Sequence, residues 1–278
     1  MSLTRHKAAL FGALVLFAVL LMALASPWIA PHDPAAQVPW EARRAPLTQL
    51  EASGRYVLLG TDHLGRDLLS RIVYASRVTL IVAFTAVVIS GFIGVVAGVT
   101  AGYCGRWIDA LCMRLVDIFL AFPFELLALC IVAVTGPSLP VVVAVMAMRV
   151  WVVYARVVRG ATLSVREKDY VQAAVALGAG RLRIVFVHVL PNVISPAIVI
   201  ATLYVGRVIL IESALSFLGI GVPADTPTWG GILGDGRSYI DTAWWIAFFP
   251  GLAIMITVLG VNLLGDWVRD YLDPKVQT

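Results

Sequence analysis

The sequence predicts an all-α polytopic membrane protein with six transmembrane helices. Of its 278 residues, 60% are hydrophobic and only 14% are charged, and the mean hydropathy is +0.90. Soluble domains are about 45–50% apolar and about 25% charged, because they need polar residues to cover their surface. The composition therefore excludes a soluble enzyme, a disordered chain and a secreted disulfide scaffold. The net charge of +4 is too small to indicate nucleic-acid binding.

Six apolar stretches approach or exceed the roughly 20 residues that a helix needs to cross a bilayer. They are Ala8–Ala25, Val78–Tyr103, Ile118–Thr135, Leu139–Val153, Val193–Ile211 and Thr242–Leu264. The first has an alternative interpretation as a cleaved signal peptide, because Ala23 and Ala25 match an A-x-A cleavage site. Its length, and Trp28 after it, favour a permanent span.

The Lys and Arg residues outside the spans predict the orientation. More of them lie on the side of the N-terminus, and the richest segment runs from Arg156 to Arg183. Because cytoplasmic loops carry an excess of Lys and Arg, we expect both termini in the cytoplasm. The segment Ser26–Arg77 then lies outside. Its prolines forbid a continuous helix, and a short amphipathic helix is predicted over Asp67–Tyr74 at the outer interface.

Two units follow from this arrangement. Residues 1–77 comprise the first span and the external segment, and residues 78–278 comprise the remaining five spans. Within the second unit, the cytoplasmic loop 154–191 is too long for a simple turn. It predicts one short helix ending near Gly178 and Gly180 and a second helix that stops at Pro191, before the fifth span.

The loop helix is predicted to expose small side chains, namely those of Ala173, Ala174, Gly178 and Ala179. Small residues allow a helix to sink into a groove of a partner, so a helix-in-groove contact with a cytoplasmic protein is the physical interpretation. A helical hairpin without a partner on the membrane surface is the alternative that composition alone leaves open.

The motifs of this loop resemble those of a known family. Gln172-Ala173-Ala174-x-x-x-Gly178, followed after nine residues by His188-x-Leu190-Pro191, is similar to the E-A-A-x-x-x-G loop of binding-protein-dependent ABC importer permeases. Gln172 replaces the usual Glu and His188 the usual Ile. Further blocks resemble the C-type permease subunit of the dipeptide, oligopeptide and nickel branch: Gly60–Asp67, Met113–Pro123, Glu212–Gly219, Pro227–Gly230 and Asn262–Pro274.

The resemblance implies a type I ABC importer permease fold with a cytoplasmic coupling helix, in a bacterial cytoplasmic (inner) membrane. The implied partners are a homologous B-type permease, two ABC ATPase subunits and a periplasmic or lipid-anchored solute-binding protein. The residues implied to contact the ATPase are Tyr170, Gln172, Ala173, Ala174, Leu177, Gly178, Ala179 and Arg181. ATP and Mg²⁺ would be bound by the partners, and no cofactor or catalytic residue is predicted in this chain.

The absence of a phosphate-binding loop agrees with ATP binding by the partner subunits. A Walker A loop requires Gly before Lys, whereas the lysines Lys7, Lys168 and Lys275 follow His6, Glu167 and Pro274. An intramembrane enzyme is disfavoured because the sequence has neither an H-E-x-x-H nor a G-x-S-x-G motif. No metal site is predicted, and the three cysteines show no C-x-x-C spacing.

A secondary transporter or channel is the rival of another class. Such proteins use broken helices at the midplane, and Pro123 and Pro196 are able to break the third and fifth spans. That class has no need of two cytoplasmic helices with exposed small residues.

Charged residues in or beside the spans are candidates for the transport pathway or for interhelical pairs. They are Asp117, Glu125, Arg207 and Glu212, and Asp117 is predicted to pair with Arg114 or with the coupling region. Gly91, Gly94, Gly98 and Gly102 form a stripe that predicts close helix packing. Mixed charges suit peptides, and the lack of intramembrane His disfavours nickel. Nickel, glutathione or another small solute are the alternative substrates.

Overall fold

The computed structural model describes residues 7–223 and 225–272. The termini, with Arg5, Lys275 and the predicted motif residues Asp273 and Pro274, lie outside the described residues. The helices are α1 (Lys7–Leu24), α2 (Ser26–Ile29), α3 (Leu68–Cys104), α4 (Arg106–Ala121), α5 (Phe124–Thr135), α6 (Leu139–Arg166), α7 (Asp169–Ala176), α8 (Arg181–Arg183), α9 (Leu190–Phe217), α10 (Trp229–Gly236) and α11 (Trp245–Leu272). A π-helical segment, Ile184–Val189, joins α8 to α9.

Among residues 7–223 and 225–272, five helical segments are long and apolar enough to cross a membrane. They are α1, α3, α6, the continuous run from α8 to the end of α9, and α11. The predicted third span is not a single straight helix, because α4 and α5 meet at 86°. Pro123 precedes α5 and lacks the N–H that would continue the α4 ladder. Counted as one bent span, the pair raises the number to six.

Pro196 does not break its span, contrary to the possibility raised by the sequence. It lies inside α9, which continues unbroken to Phe217. The second loop helix also does not stop at Pro191. It passes through the π-helical segment and Pro191 directly into α9, where Pro191 occupies the first turn. Pro191 donates no hydrogen bond to the preceding turn, and it adjoins the π-helical segment, where the hydrogen-bond ladder of the helix is irregular.

The prediction of a separate amphipathic helix over Asp67–Tyr74 is also wrong. Its residues form the first two turns of α3, a helix of 37 residues whose length of roughly 55 Å exceeds the bilayer core. Asp67 caps this helix, since its Oδ2 accepts a hydrogen bond of 2.9 Å from the N–H of Ser70. The cap fixes the point at which the external segment becomes a span.

The glycine stripe of α3 packs against α6, as its spacing predicts. A Cβ atom added to Gly98 would lie 2.8 Å from the carbonyl oxygen of Ala155, and one added to Gly102 would lie 2.7 Å from the Cβ of Thr162. Real Cβ atoms do not approach so closely, so only glycine permits this separation of the two helices. The α3–α6 contact forms the centre of the core.

The side of the bundle opposite α7 is closed by the external segment and α10. The external segment contains a short antiparallel pair, β1 (Thr48–Gln49) and β2 (Tyr56–Val57). The fully buried Trp229 of α10 donates a hydrogen bond of 3.0 Å from Nε1 to the carbonyl oxygen of Ile72. Trp245 of α11 donates one of 3.1 Å to the carbonyl oxygen of Thr61. The two indoles anchor α10 to the first turns of α3 and α11 to the external segment.

Candidate coupling site

The helix α7 lies at one end of the bundle, between the spans α6 and α9. Asp169 stands in its first turn, where a negative charge complements the positive end of the helix dipole. Val171 is completely buried and belongs to the main core. A single apolar anchor therefore holds a short helix whose other faces remain accessible.

A Schellman motif terminates α7 at the glycine that the sequence singled out. The N–H of Ala179 donates to the carbonyl oxygen of Ala174 at 3.0 Å, and the N–H of Gly178 donates to that of Val175 at 2.9 Å. Gly178 has φ +79°, a left-handed conformation that side chains with a Cβ adopt at a cost. Gly178 and Ala179 thus end α7 and direct the chain towards α8.

The end of α7 projects away from the bundle. Leu177 is 88% exposed, Ala173 and Gly178 are exposed, and a Cβ added to Gly178 would meet nothing within 4 Å. Ala174 and Ala179 are only half-exposed, so the predicted stripe of exposed small residues is wrong at these two positions. Ala179 turns towards the core because it closes the Schellman motif.

The polar residues of the site lie around this end. The Nε2 of Gln172 donates a hydrogen bond of 2.9 Å to the carbonyl oxygen of Arg166, the last residue of α6. The ring of Tyr170 lies 6.1 Å from that of His188 in the π-helical segment. Arg181 is exposed and, within the described ranges, forms no ion pair. The structure thus groups the predicted coupling residues at one end of the bundle.

Of the two partners predicted for Asp117, the structure shows the one in the coupling region, because Arg156 belongs to the predicted loop 154–191. Asp117 pairs with Arg156 of α6 at 2.7 Å, and not with Arg114. Arg114 lies three residues earlier on the same helix, whereas Arg156 reaches across from α6. Both members of the pair are more than half exposed, so the bridge lies on the surface of the single chain. Glu125 is exposed in the first turn of α5.

Arg207 and Glu212 lie on the same helix but in opposite environments. Arg207 is exposed, with its guanidinium 5.5 Å from the ring centroid of Tyr204. Glu212 is completely buried; its Oε1 accepts a hydrogen bond of 2.7 Å from Ser216, and its Oε2 has no hydrogen-bond partner among the described residues. Asp117, Glu125 and Arg207 are thus available to a neighbour or to a pathway, while Glu212 contributes to internal packing.

A buried charge cluster at the other end of the bundle was missed from the sequence. The Oδ2 of Asp62 lies 2.6 Å from Nε of Arg66 and 2.5 Å from Nη1 of Arg71, and Arg71 also reaches Asp235 of α10 at 3.2 Å. Asp62 and Arg71 are almost completely buried. The spacing of Asp62 and Arg66 by four residues was the available signal, but the partner on α10 is 169 residues from Arg66.

The cluster controls the ionisation of Asp62, which lies in the external segment. Burial raises the pKa of the Asp62 carboxyl. The neighbouring Arg71 and Arg66 guanidinium groups, with a backbone hydrogen bond from Arg66, lower the pKa by more than burial raises it. The net pKa is below its ordinary value. The carboxylate therefore stays charged at neutral pH and joins the external segment to α3 and α10.

Comparison with known proteins places this fold in a family. Residues 94–278 match the family described as the inner membrane component of binding-protein-dependent transport systems. The chain belongs to this family of permeases. Residues 1–46 of the permease also match the N-terminal transmembrane domain of oligopeptide transport permease C. The chain is therefore a multi-pass inner-membrane subunit of an ABC importer.

The permease is similar along its whole length to curated relatives. It is 44% identical over 276 residues to the di/tripeptide transport system permease protein DppC of Pseudomonas aeruginosa, covering 99% of the permease and 91% of the relative. It is 43% identical over 273 residues to the dipeptide transport system permease protein DppC of Escherichia coli K12, covering 98% and 91%. The identity extends well beyond the motifs of the loop.

Two solved structures share the architecture at low sequence identity. An inward-facing structure of the MetNI methionine ABC transporter has a TM-score of 0.59 at 21% identity, covering 74% of the permease and 98% of that chain. An amino acid ABC transporter with histidines has a TM-score of 0.58 at 14% identity, covering 73% and 94%. The permease thus has the type I ABC importer permease fold.

Proposed function

We propose that this permease forms, with a homologous B-type permease, the pathway for uptake of di- and oligopeptides, and that two separate ATPase subunits power it. The observation that carries the proposal is α7. It is a short capped helix that is anchored by Val171 and projects Leu177 from the bundle end between α6 and α9. A peptide substrate is supported by the similarity to relatives named as dipeptide and di/tripeptide permeases.

The exposed surface of α7 suits insertion into a cleft of the ATPase. Ala173 and Gly178 are exposed and small, so a groove can close around the helix without steric conflict. Tyr170, Gln172, Ala174, Ala179 and Arg181 complete the proposed contact. Short turns join α7 to α6 before it and to α8 and α9 after it. A displacement of α7 is therefore transmitted to the spans α6 and α9.

The proposed subunit has no catalytic role of its own. Its partners are the B-type permease, the two ATPases and a solute-binding protein that delivers the peptide. The proposed boundary between the two units, at residue 77, falls inside α3. Residues 1–77 contain the N-terminal helix, the external segment and the first turns of α3, and residues 78–278 form the transmembrane domain that contains the loop 154–191. Asp117, Glu125 and Arg207 are the charges proposed to face the partner permease or the pathway.

Reconstitution tests the substrate class. The complete complex, with its binding protein, is placed in proteoliposomes loaded with ATP and Mg²⁺, and uptake of a labelled dipeptide is compared with uptake of Ni²⁺ and of glutathione. We expect ATP-dependent dipeptide uptake that unlabelled dipeptide suppresses and Ni²⁺ does not. Uptake of Ni²⁺ or glutathione in its place would overturn the peptide assignment. Dipeptide uptake by this chain alone, without ATP, would overturn the importer.

A further inference from the structure

A positively charged cavity lies beside α7, at the turn between α3 and α4. It has a volume of about 500 Å³, and three arginines line it: Arg106 at the start of α4, Arg166 at the end of α6, and Arg181 at the start of α8. No acidic side chain is among its lining residues in the described chain. The cavity is thus a candidate site for an anion.

The nearby carboxylates pair with only one of the three arginines, Arg166, and leave Arg106 and Arg181 unpaired within the described residues. Asp109 is engaged by Arg159, which donates to both of its oxygens, and Glu167 lies 3.1 Å from Arg166. Arg166 also donates to the carbonyl oxygen of Gly102 at 3.2 Å, so its guanidinium is held at the cavity wall. Within residues 7–223 and 225–272, Arg106 and Arg181 form no ion pair.

Arg106 occupies its position at a conformational cost. Its φ of +50° follows φ +64° at Gly105, so two successive residues are left-handed at this turn. Glycine or asparagine adopts such a conformation more readily than arginine. Strain of this kind persists where the surrounding structure fixes it, and it is often found at binding sites.

An apolar stripe leads away from the cavity along α4. Trp107, Leu111, Leu115 and Ile118 are 71%, 53%, 45% and 47% exposed. Their spacing of four, four and three residues places them on one face of the helix. Trp107 also lines the cavity, and tryptophan is enriched at the level of lipid headgroups. Arg114, which is exposed and lies three residues after Leu111, shares this face. The surface is therefore basic at one end and mainly apolar along its length, with one further basic side chain.

We propose that this surface binds an anionic phospholipid at the edge of the proposed ATPase contact. The phosphate would lie beside Arg106, with Arg181 shared between the lipid and the ATPase, and the acyl chains would lie along α4. Basic pockets between transmembrane helices bind acidic headgroups in this way, and the stripe favours a lipid over a free phosphate. A carboxylate of the ATPase would use the arginines but would leave Trp107 and Leu111 uncovered. Since Val171, Gln172 and Val175 form the other wall, the lipid would bridge α4 and α7.

Cys104 provides a direct probe, because it is exposed and lines the cavity. In the complete importer in detergent, with Cys112 and Cys130 replaced by serine, the maleimide labelling rate of Cys104 is followed by mass spectrometry. Dioctanoyl phosphatidylglycerol should slow the labelling, whereas dioctanoyl phosphatidylcholine and glycerol 3-phosphate should not. Arg106→Gln should require about fivefold more phosphatidylglycerol for the same protection, and Arg106→Lys should bind nearly as the parent does.

Arg183→Gln is the matched control, since Arg183 is exposed on the same segment but does not line the cavity. It should leave the protection unchanged. Equal protection of Cys104 by phosphatidylcholine would overturn the proposal. So would an Arg106→Gln variant that is protected by the same concentration of phosphatidylglycerol as the parent. Protection by glycerol 3-phosphate alone would reveal a free-phosphate site. Labelling that is slow in the complete importer without added lipid, and fast in the permease pair without the ATPases, would reveal a protein contact, which also contradicts a lipid site.

Discussion

Gly178 shows how a single residue defines the coupling loop. Gly178 has φ +79°, and a residue with a Cβ adopts this conformation at a free-energy cost of about 1 kcal/mol. Gly180 has φ −63°, a conformation without that cost. A methyl group meets nothing within 4 Å at either position. Gly178→Ala should therefore loosen the Schellman motif and accelerate amide exchange of Gly178 and Ala179 by about fivefold, while Gly180→Ala should leave it unchanged. Equal exchange in both variants would refute the role of the left-handed glycine.

The elements of the outer end depend on the charge cluster around Asp62. Asp62→Asn removes the carboxylate from two arginines of which Arg71 is almost completely buried, and breaking a buried pair in this way costs about 3–5 kcal/mol. We expect a clear fall in the melting temperature of the complex in detergent. Asp241→Asn, at an exposed position near α11, should have no effect. A normal melting temperature in Asp62→Asn would show that the cluster does not hold α10 in place.

The same cluster predicts a pH dependence. Because the Asp62 pKa is lowered in the folded chain, its stabilisation is complete above the ordinary carboxyl pKa of about 4 and is lost as the pH falls towards the lowered value. Below about pH 4, the melting temperature of the parent should thus decline more steeply than that of Asp62→Asn. Parallel declines would assign the acid sensitivity to other carboxyls.

The prolines show which elements the sequence could predict and which it could not. Hydropathy located the spans, because burial in lipid requires long apolar helices. It could not distinguish Pro123, which ends a helix, from Pro196, which α9 accommodates, since that outcome depends on the neighbouring helices. The loop motif located α7, but the Asp62–Asp235 cluster joins residues far apart in the chain and needed the folded structure.

At the scale of the whole molecule, the orientation in the membrane remains a prediction. Lys and Arg are more frequent on the α7 side of the bundle, so that side should face the cytoplasm. A membrane-impermeant maleimide added to intact cells should label a cysteine at Gln49, in β1, and should not label one at Lys168. Both positions are exposed, so access to the thiol is equal in either case. Labelling of Lys168→Cys alone would invert the topology and place the ATPases on the wrong side.

We propose that α7 is the contact through which an ATPase drives this permease. Co-purification of the ATPase subunits with the tagged permease pair tests it most directly in Gly178→Phe, with stimulation of ATP hydrolysis by loaded binding protein as the second readout. Gly54→Phe is the matched control, because Gly54 has φ +68° and open space but lies in the external segment. We predict loss of the ATPases from Gly178→Phe and their retention in Gly54→Phe. Parental association and stimulation in Gly178→Phe would show that α7 is not the coupling contact.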